Sequence, residues 1–229
     1  MEIKLKEQLI EYLSGFASEN RLATFERVLE NRTRYITVAL ENVYQGHNAS
    51  AVLRTMDCFG VQDVHIIEDE YAYQVNPEIA LGASKWLTQV RYSRGDGGTE
   101  SAVMNLREKG YRIVATTPHT RDVCLSDFEL NTGRTALFFG TELEGVSDAL
   151  IGQADAFLRI PMFGFTESFN ISVSAAIILH ELTGRLRSSS LDWRLTPEEK
   201  QDLRFEWLKQ SVKHADLLIK RFFSGSLSL

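Results

Sequence analysis

Short apolar, β-branched segments alternating with helical segments predict an α/β protein built on a mainly parallel sheet of six strands, flanked by helices at both ends. Two observations carry that prediction. Strand, helix and strand follow one another between Tyr35 and Glu68, a spacing that calls for a parallel pair joined by a right-handed crossover. The alternation then recurs as far as Ile160, the pattern of an open α/β sheet. A length of 229 residues with 44% hydrophobic content suits one generous core with appended helices or two small domains.

The elements follow in order. Residues 3–31 read as two short helices broken near Ser14-Gly15. In the second, Leu22, Phe25, Val28 and Leu29 fall at helical spacing and leave Arg21, Arg27, Arg32 and Arg34 towards solvent. Glu19, Glu26 and Glu30 are interleaved with them, as on an ordinary solvated face. Tyr35 to Glu41 is the first strand. Asn48 or Ser50 caps the next helix, which runs to about Phe59 and ends at Gly60. Arg54 lies in this mostly apolar helix and must find a carboxylate, a phosphate or water.

Val61 to Glu68 is the second strand, Glu78 to Leu87 a short helix, Gln89 to Tyr92 the third strand, and Gly95 to Gly98 a turn. Val103 to Lys109 is helix, stopped by Gly110. Tyr111 to Thr116, Arg134 to Gly140 and Ala156 to Ile160 are strands four, five and six. Pro161 stops the sixth, a loop containing Gly164 follows, and a helix opens at Ser168 or Asn170, both good N-caps. Ile171, Val173, Ala175, Ala176, Ile178 and Leu179 make that helix apolar nearly all round, which predicts burial. Ser188 to Ser190 reads as a linker. Thr196, Pro197 and Glu199 form a capping box for one last helix, whose stripe is Phe205, Leu208, Val212, Ala215, Ile219 and Phe222. Lys209, Lys213, Lys220 and Arg221 make its later half basic.

Composition narrows the function classes. Cys58 and Cys124 are the two cysteines, both among apolar residues, so neither a disulfide framework nor a zinc ribbon is expected. The mixed charges of Glu2, Lys4, Lys6 and Glu7 are neither a secretory nor a mitochondrial leader. No apolar run approaches a membrane span, so a soluble cytoplasmic protein with no membrane partner is expected. The net charge of -6 weighs mildly against nucleic acid, although local patches decide that. Neither G-x-G-x-x-G nor G-x-x-x-x-G-K-[ST] occurs. Ligands of open parallel sheets gather at the carboxyl ends of strands. Three polar clusters fall there: His47 with Asn48, Gly140 to Gly145, and Pro161 to Asn170.

Those clusters sit within N-A-S-A-V-L-R-T-M-D-C-F-G-V (Asn48 to Val61), F-F-G-T-E-L-E-G-V-S (Phe138 to Ser147) and I-P-M-F-G-F-T-E-S-F-N-I-S-V-S-A-A (Ile160 to Ala176). Together, in this order and spacing, they resemble the SpoU/TrmH branch of the SPOUT RNA 2′-O-methyltransferases, over roughly residues 35–187. The resemblance implies a sheet ending in a deep trefoil knot that holds S-adenosylmethionine, with no metal required. It implies three segments: an RNA-binding helical extension at 1–34, the methyltransferase domain at 35–187, and a helical extension at 188–229. Thr116, Gly140, Thr141, Glu142, Gly145, Ile160, Met162 and Phe169 should border the cofactor. Gly140, Gly145 and Gly164 would let backbone approach it closely, with Leu143 and Ile171 adding apolar wall.

Arg54, Asn48, Glu142, Ser168 and Asn170 match the family's polar motif positions and are the catalytic candidates. Arg54 would clamp a phosphate and stabilise charge on the ribose oxygen; proton removal by Arg54 is the less favourable version, because a guanidinium is a poor base. Glu142 would hold Arg54 or Asn48. Arg21, Arg27, Arg32, Arg34, Arg185 and Arg187 would grip the RNA backbone. The flanking helices resemble those of family members that methylate guanosine 18 of the tRNA D-loop, which implies tRNA as substrate and a homodimer as the assembly. Ribosomal RNA is the runner-up substrate, and a non-catalytic RNA-binding role on the same scaffold is a further alternative. Glu167 departs from the glutamine common at its position, which bears on substrate preference rather than reaction class.

Overall fold

The computed structural model describes residues 3–43, 45–69, 80–118 and 122–226. The chain forms two compact units. One is Thr33–Trp193; the other combines the residues up to Arg32 with those from Arg194 onward. The two terminal extensions, expected as separate segments bounded at 34 and 188, are therefore one helical unit. Its order is α1 (Ile3–Ser14), α2 (Glu19–Leu29) and, after the whole α/β unit, the two C-terminal helices α7 (Pro197–Ser211) and α8 (Ala215–Ser226).

The α/β unit runs β1 (Ile36–Glu41), α3 (Gly46–Phe59), β2 (Asp63–Glu68), β3 (Thr88–Ser93), α4 (Gly98–Glu108), β4 (Arg112–Thr116), β5 (Val123–Cys124), β6 (Thr135–Phe139), α5 (Asp148–Ile151), β7 (Ala156–Arg159) and α6 (Ile171–Arg187). Among the described residues the sheet has seven strands in the order β3-β2-β1-β6-β4-β7-β5, and every neighbouring pair is parallel. The strand beyond the expected six is β5. Two residues cannot display a period, and it exists because Val123 and Cys124 pair with Leu158 and Arg159 of β7. The expected helix at 78–87 lies partly outside the described residues; in its described part Ala80 is helical and a 3-10 turn follows at Ala83–Lys85.

Both sheet faces are covered. On one, Leu53 and Met56 of α3 and Ile178 and Leu182 of α6 pack on Val38, Leu40, Leu137 and Phe139. On the other, Val103 and Leu106 of α4 and Leu150 of α5 pack on Ala39, Ile67, Ile113 and Phe138. Each such side chain stabilises the fold by about 1.5–3 kcal/mol on burial. Helix α6 buries one face (Ile171, Ala175, Ile178, Leu179, Leu182, Leu186), but Val173 stands exposed, so the expectation of burial all round is corrected. At the β2–β3 edge, Tyr92 Oη donates to Asn105 Oδ1 at 3.1 Å. A hydroxyl has one hydrogen, so at 3.0 Å it is His65 Nδ1 that donates to Tyr92. Burial, and then the charge of Lys109, lower the His65 pKa to about 4.

In the helical unit, Arg204 pairs with Glu26 at 2.5 Å and Lys200 with Glu30 at 2.7 Å. Lys6 pairs with Asp202, and Phe25 packs edge-on against Trp207. These contacts join α1 and α2 to α7. The capping box at Thr196 and Glu199 forms as the sequence predicts. The single last helix does not: α7 ends at Ser211, Val212 is extended, and His214 adopts a left-handed conformation with φ 58 before α8 begins. Hydrophobic spacing ran through this break because Val212 and Ala215 are buried on either side of it.

Candidate functional site

The loops following β1, β4, β6 and β7 emerge at the carboxyl ends of neighbouring strands, where an open parallel sheet collects ligands. A cavity of about 370 Å³ opens there. Its wall includes Thr116, Gly140, Thr141, Glu142, Gly145, Ile160, Met162 and Phe169, together with Ser168 and Glu167. The eight positions named from the sequence thus lie around one space. Leu158, Ile171 and Ile178 add apolar wall, and Thr117 and Pro118 extend it beyond β4.

The segment after β6 is a small ring. Thr141 N donates to Gly145 O at 2.8 Å and Gly145 N donates to Thr141 O at 3.1 Å. Gly145 has φ +71 and a Cβ there would meet nothing within 4 Å, so glycine is required by conformation and not by space. Gly140 is the reverse: a Cβ would fall 1.9 Å from Gly145 O, so the strand end and the ring close only on glycine. Gly164 has no positive φ and only one loose neighbour, so the close approach expected there is not required by the backbone.

Beside the cavity the three motifs meet through side chains. Asn48 Nδ2 donates to Glu142 Oε1 at 2.9 Å and to Gln45 Oε1 at 2.5 Å. Asn170 Nδ2 donates to Asn48 Oδ1 at 3.0 Å and to Glu142 Oε1 at 2.6 Å. The orientation of Asn170 follows from its other end, where Oδ1 accepts from Ser172 N at 2.9 Å and Ser172 Oγ at 2.6 Å. Asn170 therefore caps α6 and completes the cluster at once. Asn48 does not cap α3. The helix begins at Gly46 with Gln45 at the N-cap, and Asn48, in the first turn, turns its buried amide to Glu142. Both amide hydrogens of Asn48 are committed within the cluster, which makes it an orienting group for the exposed carboxylate of Glu142.

The other two catalytic candidates stand elsewhere. Ser168 lines the cavity and makes no hydrogen bond to the cluster. Arg54 is exposed and has no ion pair or hydrogen bond among the described residues. Six residues along a helix rotate about 120° short of two full turns, so Arg54 leaves α3 on a different face from Asn48. Glu142 holds Asn48, not Arg54.

The six arginines named for RNA separate in the same way. Arg21 and Arg27 are exposed on α2. Arg32 is 1% exposed, its guanidinium 5.6 Å from the Trp207 ring centre, and a side chain so enclosed cannot reach a phosphate. Arg34 is paired with Asp63 at 3.0 Å. Arg185 donates to the carbonyls of Leu125 and Phe128. Arg187 donates to Phe59 O at 2.6 Å and to Thr183 O at 3.2 Å, and burial lowers its pKa. These four side chains are engaged by groups of the protein itself. Sequence reasoning also missed Gln45, which accepts from Asn48 three residues on, and the buried Glu41, whose contacts to Thr99 and Ser147 join residues far apart in the chain.

The model of the SpoU rRNA methylase family matches residues 35–180. A tRNA (guanosine(18)-2′-O)-methyltransferase of Borreliella burgdorferi is 41% identical over 202 residues, 88% of this chain and 90% of that one. Enzymes of the same name from Thermus thermophilus and Escherichia coli are 36% and 33% identical, over 84% and 81% of this chain and 98% and 81% of theirs. The crystal structure of the A. aeolicus TrmH/SpoU tRNA modifying enzyme superposes with a TM-score of 0.75 at 31% identity, over 85% of this chain and 98% of that one. AviRb from Streptomyces viridochromogenes, solved in complex with AdoMet, gives 0.59 at 25% identity, over 72% and 65%. With the family model spanning most of the α/β unit, the chain belongs to the SpoU rRNA methylase family.

Proposed function

We propose that this chain transfers the methyl group of S-adenosylmethionine to a ribose 2′-hydroxyl of tRNA, that of guanosine 18 in the D-loop. The observation that carries the reading is the Asn48–Glu142–Asn170 cluster beside a cavity at the carboxyl ends of the strands. The relatives named for that tRNA nucleotide support the substrate, since they align over most of both chains.

The cavity fits the cofactor. Its volume of about 370 Å³ lies in the range of small-molecule sites. The Thr141–Gly145 ring offers backbone at close range, Leu158, Ile160 and Ile178 offer apolar contact, and the carboxylates Glu142, Glu144 and Glu167 suit a ligand of net positive charge. The Glu167 charge is thus on the cofactor side of the site as well as near RNA. When bound, S-adenosylmethionine supplies an already activated methyl, so the residues must align the ribose oxygen and remove one proton.

Glu142 Oε1 is held by the two asparagine amides, and no hydrogen bond to Oε2 is made among the described residues. Oε2 is the acceptor for the proton of the ribose hydroxyl. Arg54, permanently charged and exposed, clamps a phosphate and offsets negative charge on the attacking oxygen. Arg21 and Arg27 are the remaining contacts to the RNA backbone.

The trefoil threading of the sheet's last segments and a cytoplasmic location complete the reading; no helix among the described residues is long and apolar enough to cross a membrane. A homodimer is part of it as well. Phe163 and Phe165 are 97% and 107% exposed, and Leu143 and Val173 also face solvent, apolar side chains that pairing with a second copy would cover. Ribosomal RNA stays as the second reading because a 23S rRNA (adenosine(1067)-2′-O)-methyltransferase of Streptomyces azureus is 28% identical, over 62% of that protein's length. Nucleoside mass spectrometry of RNA from cells lacking the gene separates the two. Loss of 2′-O-methylguanosine from tRNA supports the tRNA reading, and loss from ribosomal RNA alone overturns it.

A further inference from the structure

Glu41 is the last residue of β1 and only 1% exposed, yet it carries a carboxylate. Packing alone does not call for one, because a well-fitted apolar side chain fills such a place at least as favourably. We infer that Glu41 is a positioning residue that pins the Gly140–Gly145 ring in its cofactor-binding shape, acting through Ser147. The inference rests on the methyltransferase reading of the cavity.

The geometry is specific. Glu41 Oε2 accepts from Ser147 N at 2.8 Å, and Oε1 accepts from Ser147 Oγ at 2.6 Å. Thr99 Oγ1 lies 2.6 Å from the same Oε1, and its own amide donates to Asp69 Oδ2 at 3.0 Å, which ties the contact to α4. Ser147 Oγ, while donating to Glu41, accepts from Leu150 N at 3.2 Å and so caps α5. The ring between Thr141 and Gly145 closes on itself. Besides the bonds that Glu142 accepts from Asn48 and Asn170, the ring's two ends fix it in space. One is β6, paired with β1 as far as Leu40 and Phe139; the other is Ser147, held by Glu41 one residue further along β1.

Both anchors therefore lie on the strand that leads to Gln45 and Asn48. Glu41 sets the ring that lines the cavity, and the Glu142 it carries, against the start of α3. A ring released at Ser147 keeps its internal bridge and loses its register with the cavity wall at Ile160 and Met162.

Calorimetry with S-adenosylhomocysteine, hydrogen exchange of the amides of residues 141–147, and thermal melting test this on Glu41→Gln, Ser147→Ala, the double variant and Asn105→Ala. Asn105 takes the hydrogen bond from Tyr92 and serves as a control that lowers stability away from the ring. Glu41→Gln places an amide N–H against a donor and should weaken S-adenosylhomocysteine binding about tenfold or more, the loss of a hydrogen bond to a charged group. Exchange in the ring should quicken. Ser147→Ala removes the Oγ bond and keeps the amide bond, so it should weaken binding in the same direction but less than Glu41→Gln. The double variant should fall short of the sum of the two losses because they share the Oγ contact.

Asn105→Ala should leave affinity within about twofold of wild type at an equal drop in melting temperature. Glu41→Gln binding like wild type, or Asn105→Ala losing as much affinity, overturns the inference. If Glu41→Gln does not fold, unchanged affinity in Ser147→Ala overturns it. Failure of the wild-type protein to bind S-adenosylhomocysteine overturns instead the functional reading beneath it.

Discussion

Replacing Glu142 by glutamine keeps the shape of the cluster and removes its charge. Two amide hydrogens reach Glu142 Oε1, from Asn48 at 2.9 Å and from Asn170 at 2.6 Å. A glutamine oxygen still accepts both. Each bond falls from about 1.5–3 kcal/mol with a charged acceptor to about 0.5–1.5 with a neutral one. Glu142 is exposed, so solvent screens much of the difference and the expected loss of stability is about 1 kcal/mol. In a chain of this size that lowers the melting temperature by about 2–4 °C.

Loss of the proton acceptor is a much larger effect, about 10²- to 10⁴-fold in rate, or about 3–5 kcal/mol of barrier. The assay is single-turnover methyl transfer to tRNA at saturating cofactor, so that any weakening of a cationic ligand by the lost carboxylate does not enter. Glu142→Gln should be folded and at least about a hundredfold slower. A rate within about threefold of wild type would refute the assignment of Glu142 as the proton acceptor.

Three further predictions follow from the geometry. Arg54→Ala should slow single-turnover transfer strongly while calorimetry shows S-adenosylhomocysteine binding intact, since Arg54 does not line the cavity; equal losses in both would move Arg54 into the cofactor site. Arg21→Ala and Arg27→Ala should each reduce the slope of log affinity for tRNA against log salt by about one contact, whereas Arg32→Ala should lower the melting temperature with no change in slope, because Arg32 is enclosed. His65 should make stability fall in mild acid. Its pKa is depressed to about 4 in the folded chain from 6.5, so its contribution is whole above pH 6.5 and is lost as pH falls towards 4. That depression amounts to about 3 kcal/mol. Denaturant melts at pH 7 and pH 4.5 should show a smaller difference in His65→Gln than in wild type, and an equal difference would contradict this.

Local chemistry was legible in the sequence where the responsible residues are close together. Thr196, Pro197 and Glu199 announce a capping box, and the alternation through β1 to β4 and on to β7 gives a parallel sheet. Gly140, Thr141, Glu142, Gly145, Ile160 and Met162 all line the cavity, since a strand end followed by a glycine-containing loop opens at the carboxyl edge.

What the sequence hid were partnerships across distance. Arg32 looks like its exposed neighbours Arg21 and Arg27, yet it is buried with its guanidinium over the ring of Trp207, remote in sequence. Arg34, Arg185 and Arg187 likewise pair with Asp63 or with carbonyl groups that no local pattern specifies. The pairing of Glu26 with Arg204 makes one unit of two chain ends, and the break at His214 interrupts a stripe whose apolar spacing is unbroken. Glu41 reads as an ordinary strand-ending residue until Ser147 is brought against it.

We propose that this chain methylates the ribose of guanosine 18 in tRNA. This is tested most directly by incubating the purified protein with S-adenosylmethionine and an unmodified tRNA transcript, then mapping the methyl group by nuclease digestion and mass spectrometry. A parallel transcript carries 2′-deoxyguanosine at position 18. One added methyl is expected on the ribose of guanosine 18 and none on the deoxy transcript. Methylation that persists on the deoxy transcript, or transfer to ribosomal RNA with tRNA left unmodified, would contradict it.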